Sequence, residues 1–471
     1  MTDSCSFLAE LTASLDYDAL SPLDRDRCQM FIQDLYAAAI AGLRVNGRFN
    51  RAITDEFMNA GGRPESTVFG CETKLPAMNA AFLNGCFAHG ADMDDGTKNA
   101  MGHVGASVIA AVLALAERER ASGKAVITAI VAGYEVFVRL GGACQPGMIA
   151  RGFHSTGIVG AVAAAAACAK LMALDADRIA QAMAIATTQS AGLMSVVESG
   201  QEIKPINPGK AAQTGVLAAA LAAKDVRGPD RAFEIEKGFF WSFAEEVDWD
   251  YLTAPAGENH LICSCYQKPY PSCRHTHPGI DAAIALRDRI TDLSAVEELT
   301  LLIYPTAIDV AGRITVPKNA DEAKFSIAYA VAHALVTGGY GLSDLAVEKN
   351  DPSVASLAER IRLVPDAIYE NRAEGIRGAR LEIRLKDGSL LGETVSLPKG
   401  DDRKPFTEAD MADKLARCAG GSLSIADQQA LLRQIAAIDD HWDGSVPNLF
   451  LRKDDAFAAD GQRGGCIACR E

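Results

Sequence analysis

The stretch Ala88-His89-Gly90-Ala91-Asp92-Met93-Asp94-Asp95, followed by Gly102-His103-Val104-Gly105, places three carboxylates and two histidines within fifteen residues of an otherwise apolar, small-residue context. Ionisable groups in such surroundings are costly unless paired, so the cluster reads as chemistry rather than as a solvated face. Clustered carboxylates suit a hard cation such as magnesium. They suit helix capping or organic acid/base work equally well. The magnesium reading lacks a phosphate loop, because Gly209-Lys210 has neither the spacing nor the Ser/Thr of one.

Other segments compete for the chemistry. Cys263-Ser264-Cys265 and Cys273-Arg274-His275-Thr276-His277 offer thiolates and imidazoles, but no Cys-x-x-Cys pair or spaced histidine pair of the zinc type. A turn after Tyr270-Pro271 that aims one histidine into a cleft is the better reading. Cys466-Ile467-Ala468-Cys469 is a true C-x-x-C in a glycine-rich end without a βαβ context, and no redox or metal duty is expected of it. In Arg151-Gly152-Phe153-His154-Ser155-Thr156 a histidine stands just ahead of a helix start, where backbone N–H groups and the helix dipole receive anions. A capping or packing role for His154 is the alternative. In Lys204-Pro205-Ile206-Asn207-Pro208-Gly209-Lys210 two lysines bracket a rigid turn that opens another helix.

At 471 residues the chain exceeds one ordinary core, and two or three domains are expected. With 49% apolar, 23% charged and 6% aromatic residues it reads as a globular protein built on small side chains. A net charge of −15 argues against a nucleic-acid partner, and it means that cations serving an acidic metabolite must be concentrated in one place. Met1-Thr2-Asp3-Ser4-Cys5 lacks the basic start of a signal peptide, and the apolar run Ile158 to Ala169 is too short to span a bilayer. No membrane partner is expected. The twelve scattered cysteines read as reduced thiols, hence a cytoplasmic protein.

Residues 1–268 carry helical periodicity, at Leu23 to Leu43, His103 to Ala121, Ala125 to Leu140, Thr156 to Met172, Asp177 to Thr187 and Lys210 to Ala223. Ser155, Asp175 and the Arg227-Gly228-Pro229 break supply start and stop signals. From 269 to 400 the texture becomes α/β: a helix at Pro278 to Thr291, a strand at Glu297 to Tyr304, helices at Ala323 to Thr337 and Val354 to Arg362, and a hairpin across Lys386-Asp387-Gly388-Ser389. Residues 401–452 are helical again, at Thr407 to Ala416 and Ile425 to Ile438, and 453–471 form a polar tail.

Taken in order, His89-x-x-Asp92-x-Asp94-Asp95, His103-x-Gly105, Gly152-Phe153-His154-Ser155-Thr156, Lys204-Pro205, Pro208-Gly209, Gly228-Pro229 and Lys268-Pro269-Tyr270-Pro271-Ser272-Cys273 with His277 resemble the MmgE/PrpD family from about residue 10 to residue 450. The resemblance implies a mainly α protein, with a large helical domain made by both chain ends and an inserted, smaller α/β lid domain. It implies a homodimer that uses no metal or other cofactor, with an active site between the domains. Asp92, His103, His154, Lys204 and His277 fall on the family's catalytic positions. Thr97, Arg151, Asn207, Lys210 and Arg274 are read beside them as substrate-binding residues.

The sequence departs from the family pattern at Gly96, which precedes Thr97, at His103-Val104-Gly105, at Asn207, and at Ala311, near the place of a family tyrosine. These departures speak against cis-aconitate decarboxylation in particular. Proton removal beside a carboxylate builds charge on a group already anionic, so fixed cations must face it and a histidine must move the proton. The expected activity is a cofactor-independent lyase, a dehydratase of a small, 2-methylcitrate-like di- or tricarboxylate. The alternatives are an epimerase of a substituted dicarboxylate and a carboxylate-binding relative without turnover.

Overall fold

The computed structural model describes residues 3–449 except 199, 350, 372, 373 and 443; the expectations for the 453–471 tail and for Cys466 and Cys469 lie outside the described residues. Two apolar cores divide the molecule. The larger draws on side chains from Cys5 to Cys265 and again from Phe406 to Leu449, and the smaller on those from Tyr270 to Ile383. Both chain ends therefore build one large helical domain, and the segment between them forms a smaller α/β domain, as the fold class read from the sequence requires.

Small side chains decide how the helical domain packs. The Ser155–Leu171 helix is buried along nearly its whole length among the helices Gly105–Glu119, Gly123–Ala143, Ala176–Thr187 and Ile206–Ala222. Alanine favours the helix and presents no knob that would hold neighbours apart. A close approach joins Ala77–His89 to Ile206–Ala222. A Cβ on Gly209 would lie 2.5 Å from the Phe82 carbonyl oxygen, and one on Gly85 would lie 3.0 Å from the Gly209 Cα. Only glycine admits this crossing, which brings His89, at the end of one helix, up to Lys204, just ahead of the other.

The Gly123–Ala143 helix is long and apolar enough to cross a membrane, yet 89% of its apolar window is buried inside the protein. Its hydrophobicity is accounted for by the core. The C-terminal helices Glu408–Ala419 and Ile425–Ala436 return to pack on Pro22–Val45. The first of them starts at a Thr407/Asp410 capping box. Apart from Cys71, the cysteines among the described residues are free thiols.

In the α/β domain a four-stranded sheet runs in the order Ile361–Pro365, Val296–Ile303, Ala379–Leu385, Leu390–Val395, parallel in its first pair and antiparallel in the others. Leu299, Leu301 and Ile303 alternate into the core, where helices His277–Arg287 and Ile327–Thr337 supply the facing side chains. The expected hairpin turns at Gly388, φ +86°. The expected helix from Val354 to Arg362 is corrected: it stops at Ala358, and Ile361-Arg362-Leu363-Val364-Pro365 forms a strand in register with Leu299 to Ile303. Its β-branched, alternating side chains gain more from the sheet than from another helical turn. Helices Gly47–Ala60 and Ala77–His89 were not expected from the sequence.

Candidate active site

Three helices of the large domain begin around one point. His103 stands two residues ahead of Gly105–Glu119, His154 is the residue preceding Ser155–Leu171, and Lys204 stands two residues ahead of Ile206–Ala222. Each N-terminus presents the positive end of a helix dipole, so the point favours an anion before any side chain is counted. A Cβ on Gly105 would lie 2.5 Å from the Asp95 Oδ1. The glycine after His103-Val104 is thus what lets its own N–H reach that oxygen, at 2.9 Å.

Asp92 lies at the centre. It is a non-glycine residue at φ +52°, a strained conformation held by what surrounds it. The Lys268 Nζ donates to both its carbonyl and its Oδ1 at 2.9 Å, and the Lys204 Nζ donates to Oδ1 at 3.1 Å. Burial opposes the charge on Asp92, but Lys204 and Lys268 outweigh it and hold the carboxyl well below the usual carboxylate range. One carboxylate thus faces two ammonium groups. The remaining positive charge is available to an anion in a protein whose net charge is −15.

The hydrogen bonds assign the tautomers of the nearby imidazoles. The His103 Nδ1 lies 2.9 Å from the Asp95 carbonyl oxygen, which can only accept, so Nδ1 carries a proton, and Nε2, 3.5 Å from the Asp92 Oδ1, is the nitrogen free to exchange one. His154 is the reverse case: the Asn207 Nδ2 donates to its Nδ1 at 2.9 Å, leaving Nε2–H as a donor. Burial, then Lys204, hold His154 well below the ordinary histidine range. His89 donates from Nδ1 to both Asp94 oxygens at 2.9 Å and accepts from the Lys204 Nζ at 2.8 Å. Burial pushes its pKa down to about 4 against the pull of Asp94. His89 therefore positions Lys204, and His103 can accept a proton.

The loop carrying Asp92 is gripped from three directions by buried lysines. Lys324, from the α/β domain, donates to the Gly90 carbonyl at 2.8 Å. Lys268, at the junction of the domains, holds the Asp92 carbonyl, and Lys414, from a C-terminal helix, donates to that of Met93 at 2.7 Å. These carbonyls extend the negative end of the Ala77–His89 helix, where cations are favoured. All parts of the chain thus fix one turn.

The site opens into a cavity of about 80 Å³, room for a handful of waters or a small metabolite. Asp92, Thr97, His103, His154, Lys204, Lys268, Arg274, His275 and Arg377 contribute to its wall. Of the sequence-derived candidates, Asp92, Thr97, His103, His154, Lys204 and Arg274 meet here. The Thr97 hydroxyl is buried beside the Cys265 thiol. Arg274 spends its guanidinium on the carbonyls of Lys399 and Pro398, at 2.9 and 3.2 Å, and stacks on Tyr266. Asn207 sits behind His154 and orients it.

Three expectations need correction. Arg151 is exposed, donates to the Ala244 carbonyl and lies over Phe153, because the positive-φ Gly152 turns the chain between it and His154. Lys210 is exposed one helical turn into its helix and bonds Gln213. His277 is fully buried outside the cavity wall, between Arg274 at 3.1 Å and the Ser272 carbonyl at 3.3 Å. Its neighbour His275 takes the place at the wall. The sequence reading gave no role to His89, Lys268, His275 or Arg377. His89 and Lys268 lay inside its motifs, and Arg377 carries no local signal at all.

His89, Asp92, Asp94 and His103 bring one donor atom each within 4.8 Å, a spacing that could hold a cation. The Lys204 and Lys268 ammonium groups already occupy the Asp92 oxygen and His89 Nε2, so a metal ion would have to displace them.

The chain is similar to known proteins along most of its length. The chain is 28% identical to human cis-aconitate decarboxylase over 82% of each chain. It is 27% identical to a cis-aconitate decarboxylase-like protein of Aspergillus oryzae, over 91% of this chain and 92% of the relative. It is 26% identical to cis-aconitate decarboxylase of Aspergillus terreus over 86% of each. The MmgE/PrpD N-terminal domain matches residues 6–252 and the MmgE/PrpD C-terminal domain residues 270–440, and the chain belongs to the MmgE/PrpD family.

Proposed function

We propose that the protein is a lyase that handles a small tri- or dicarboxylate through a carbanion beside a carboxylate, with no metal or other cofactor in the chemistry. The observation that carries this reading is the pairing, in one cavity, of an under-neutralised lysine pair with the imidazole of His103. Lys204 and Lys268 take the substrate carboxylate and stabilise the charge that spreads onto it. His103 exchanges the proton of the adjacent carbon, and Asp92 and Asp94, 3.5 and 3.4 Å from its ring nitrogens, stabilise the imidazolium. The neutral Nε2–H of His154 donates to a departing hydroxyl or to a carboxylate oxygen.

Elimination of water from a 2-methylcitrate-like substrate is our first reading. Loss of carbon dioxide is the second, favoured by the names of the similar proteins. The cavity wall at the family-tyrosine region offers Val310, which cannot donate a proton. Incubation with 2-methylcitrate, citrate, cis-aconitate and substituted succinates, followed by proton NMR in deuterated buffer, tests both. A new conjugated alkene supports elimination, and deuterium in a product one carboxylate poorer supports decarboxylation. Deuterium exchange with inversion and no alkene would transfer the reading to epimerisation. Ligand-induced stabilisation without any exchange would support a binding role. We further read the protein as a cytoplasmic homodimer, a reading that cell fractionation and light scattering check.

A further inference from the structure

The α/β domain adds a second positive face to the cavity. Arg377 ends a short hairpin, Glu370–Asn371 with Ile376–Arg377, and its side chain is only 13% exposed. Its Nη2 donates to the Lys98 carbonyl at 3.3 Å, and its Nε lies 3.8 Å from Glu370 Oε1. Its Nη1 has no hydrogen-bond partner among the described residues. Lys98 pins the hairpin in turn, donating from Nζ to the Gly375 carbonyl at 3.0 Å and to Asp401 at 3.0 Å. Arg274 on the same wall has spent its donors on carbonyls. Arg377 has not.

His275 stands beside Arg377 on that wall. Its Nδ1 is 2.6 Å from the Tyr304 hydroxyl, which is fully buried and has no other partner among the described residues. A buried hydroxyl donates where it can, so the Tyr304 O–H points to Nδ1 and the His275 Nε2 carries the hydrogen. Burial, then the positive charge of Arg377, push the ring's pKa down to about 3, so it stays a neutral donor. The cavity thus has a guanidinium and an imidazole N–H on its α/β side, and an ammonium pair with two imidazoles on its helical side.

We propose that Arg377 and His275 form a second carboxylate subsite, contributed by the α/β domain, which makes the site select molecules with two or more carboxylates over single-carboxylate analogues. A planar guanidinium with open donors suits a carboxylate better than a hydroxyl or an apolar group does. The proposal rests on the reading above, in which Lys204 and Lys268 hold the first carboxylate.

Calorimetric titration of the purified full chain with tricarballylate and with butyrate tests it, since neither compound can be turned over by elimination. Arg377→Ala should weaken tricarballylate about 10- to 100-fold, the scale of a lost charge-assisted contact, and leave butyrate affinity unchanged. His275→Gln should act in the same direction about tenfold or less, and Arg377→Lys should recover part of the loss. Unchanged tricarballylate binding in Arg377→Ala overturns the proposal. An equal fall for both probes overturns it too, because that is the mark of a merely structural role. If the unaltered protein binds butyrate but prefers tricarballylate no more than Arg377→Ala does, the subsite alone fails. If the unaltered protein binds neither probe, the carboxylate reading fails and the subsite with it.

Discussion

Asp95→Asn should make the protein more stable at neutral pH, although it removes an acid from the middle of the functional cluster. Asp95 is fully buried, accepts from the Tyr134 hydroxyl at 2.7 Å and from the Gly105 N–H at 2.9 Å, and has no cationic partner among the described residues. Burial, then the negative charges of Asp34 and Asp94, push its carboxyl up to about 8 from an ordinary value of 3.8. A folded-state pKa above the unfolded one means that the native protein binds the extra proton between these values. The contribution of Asp95 to stability therefore falls as pH rises from about 4 to about 8 and is flat above. At about 1.4 kcal/mol per unit, keeping Asp95 protonated costs about 4 kcal/mol at pH 7. Asparagine is neutral throughout and keeps both partners, so altered hydrogen bonds return at most about 1 kcal/mol of that gain. Urea unfolding of both proteins should show the stability difference growing by about 3 kcal/mol between pH 5.5 and 8. A difference independent of pH would refute the reasoning, and so would one that shrinks. Because His103 leans on the Asp95 carbonyl rather than its carboxyl, kcat/KM should stay within about threefold, a change of under 1 kcal/mol.

The same substitution three residues earlier should do the opposite. Asp92→Asn leaves two buried ammonium groups with no carboxylate between them, and should cost about 3–5 kcal/mol and abolish turnover; a stable, active variant in urea unfolding and rate assays would contradict the pairing. Lys324→Met releases the Gly90 carbonyl, and should lower kcat by about tenfold or more while leaving Arg377-dependent tricarballylate affinity in place; equal losses in both would point to general unfolding. The unaltered protein should lose stability as pH falls from about 6.5 to about 4, because His89, His154, His275 and His277 are held neutral in the fold and gain protons on unfolding. His260, beside Asp24, and the raised carboxyl of Asp95 oppose this trend, and thermal melts across that range measure the balance. Prolonged dialysis against a chelator should leave activity unchanged; a loss restored by one metal would transfer Asp92 and Asp94 to ligand duty.

The helical domain was legible because its local signals agree. The alanine-rich periodicity follows the buried helices, the Asp175 cap falls at a helix start, and the Gly228-Pro229 break follows the end of the Ile206–Ala222 helix. The Ile361–Pro365 strand was hidden, since a short apolar run after a helix has no period of its own and the sheet partner lies about sixty residues away in sequence. The site shows the same division. His103, His154 and Lys204 announce themselves by standing ahead of helices, whereas Arg377 reaches the cavity only through a hairpin fixed by Lys98 and Asp401. Arg151 and Lys210 carried the right charge in the right motif, but one residue of turn or one turn of helix was enough to point each at solvent. Spacing alone did not separate His275 from His277, and the family resemblance chose His277. The 3-10 turn at Arg274–Thr276 decides between them, sending the first to the cavity and the second behind it.

A structure of the protein with tricarballylate bound tests the central claim most directly. One carboxylate should lie against Lys204 and Lys268, with the neighbouring methylene or methine carbon about 3–3.5 Å from the His103 Nε2. A ligand seated in the cavity with that nitrogen turned away, its lone pair facing protein rather than carbon, would contradict the account.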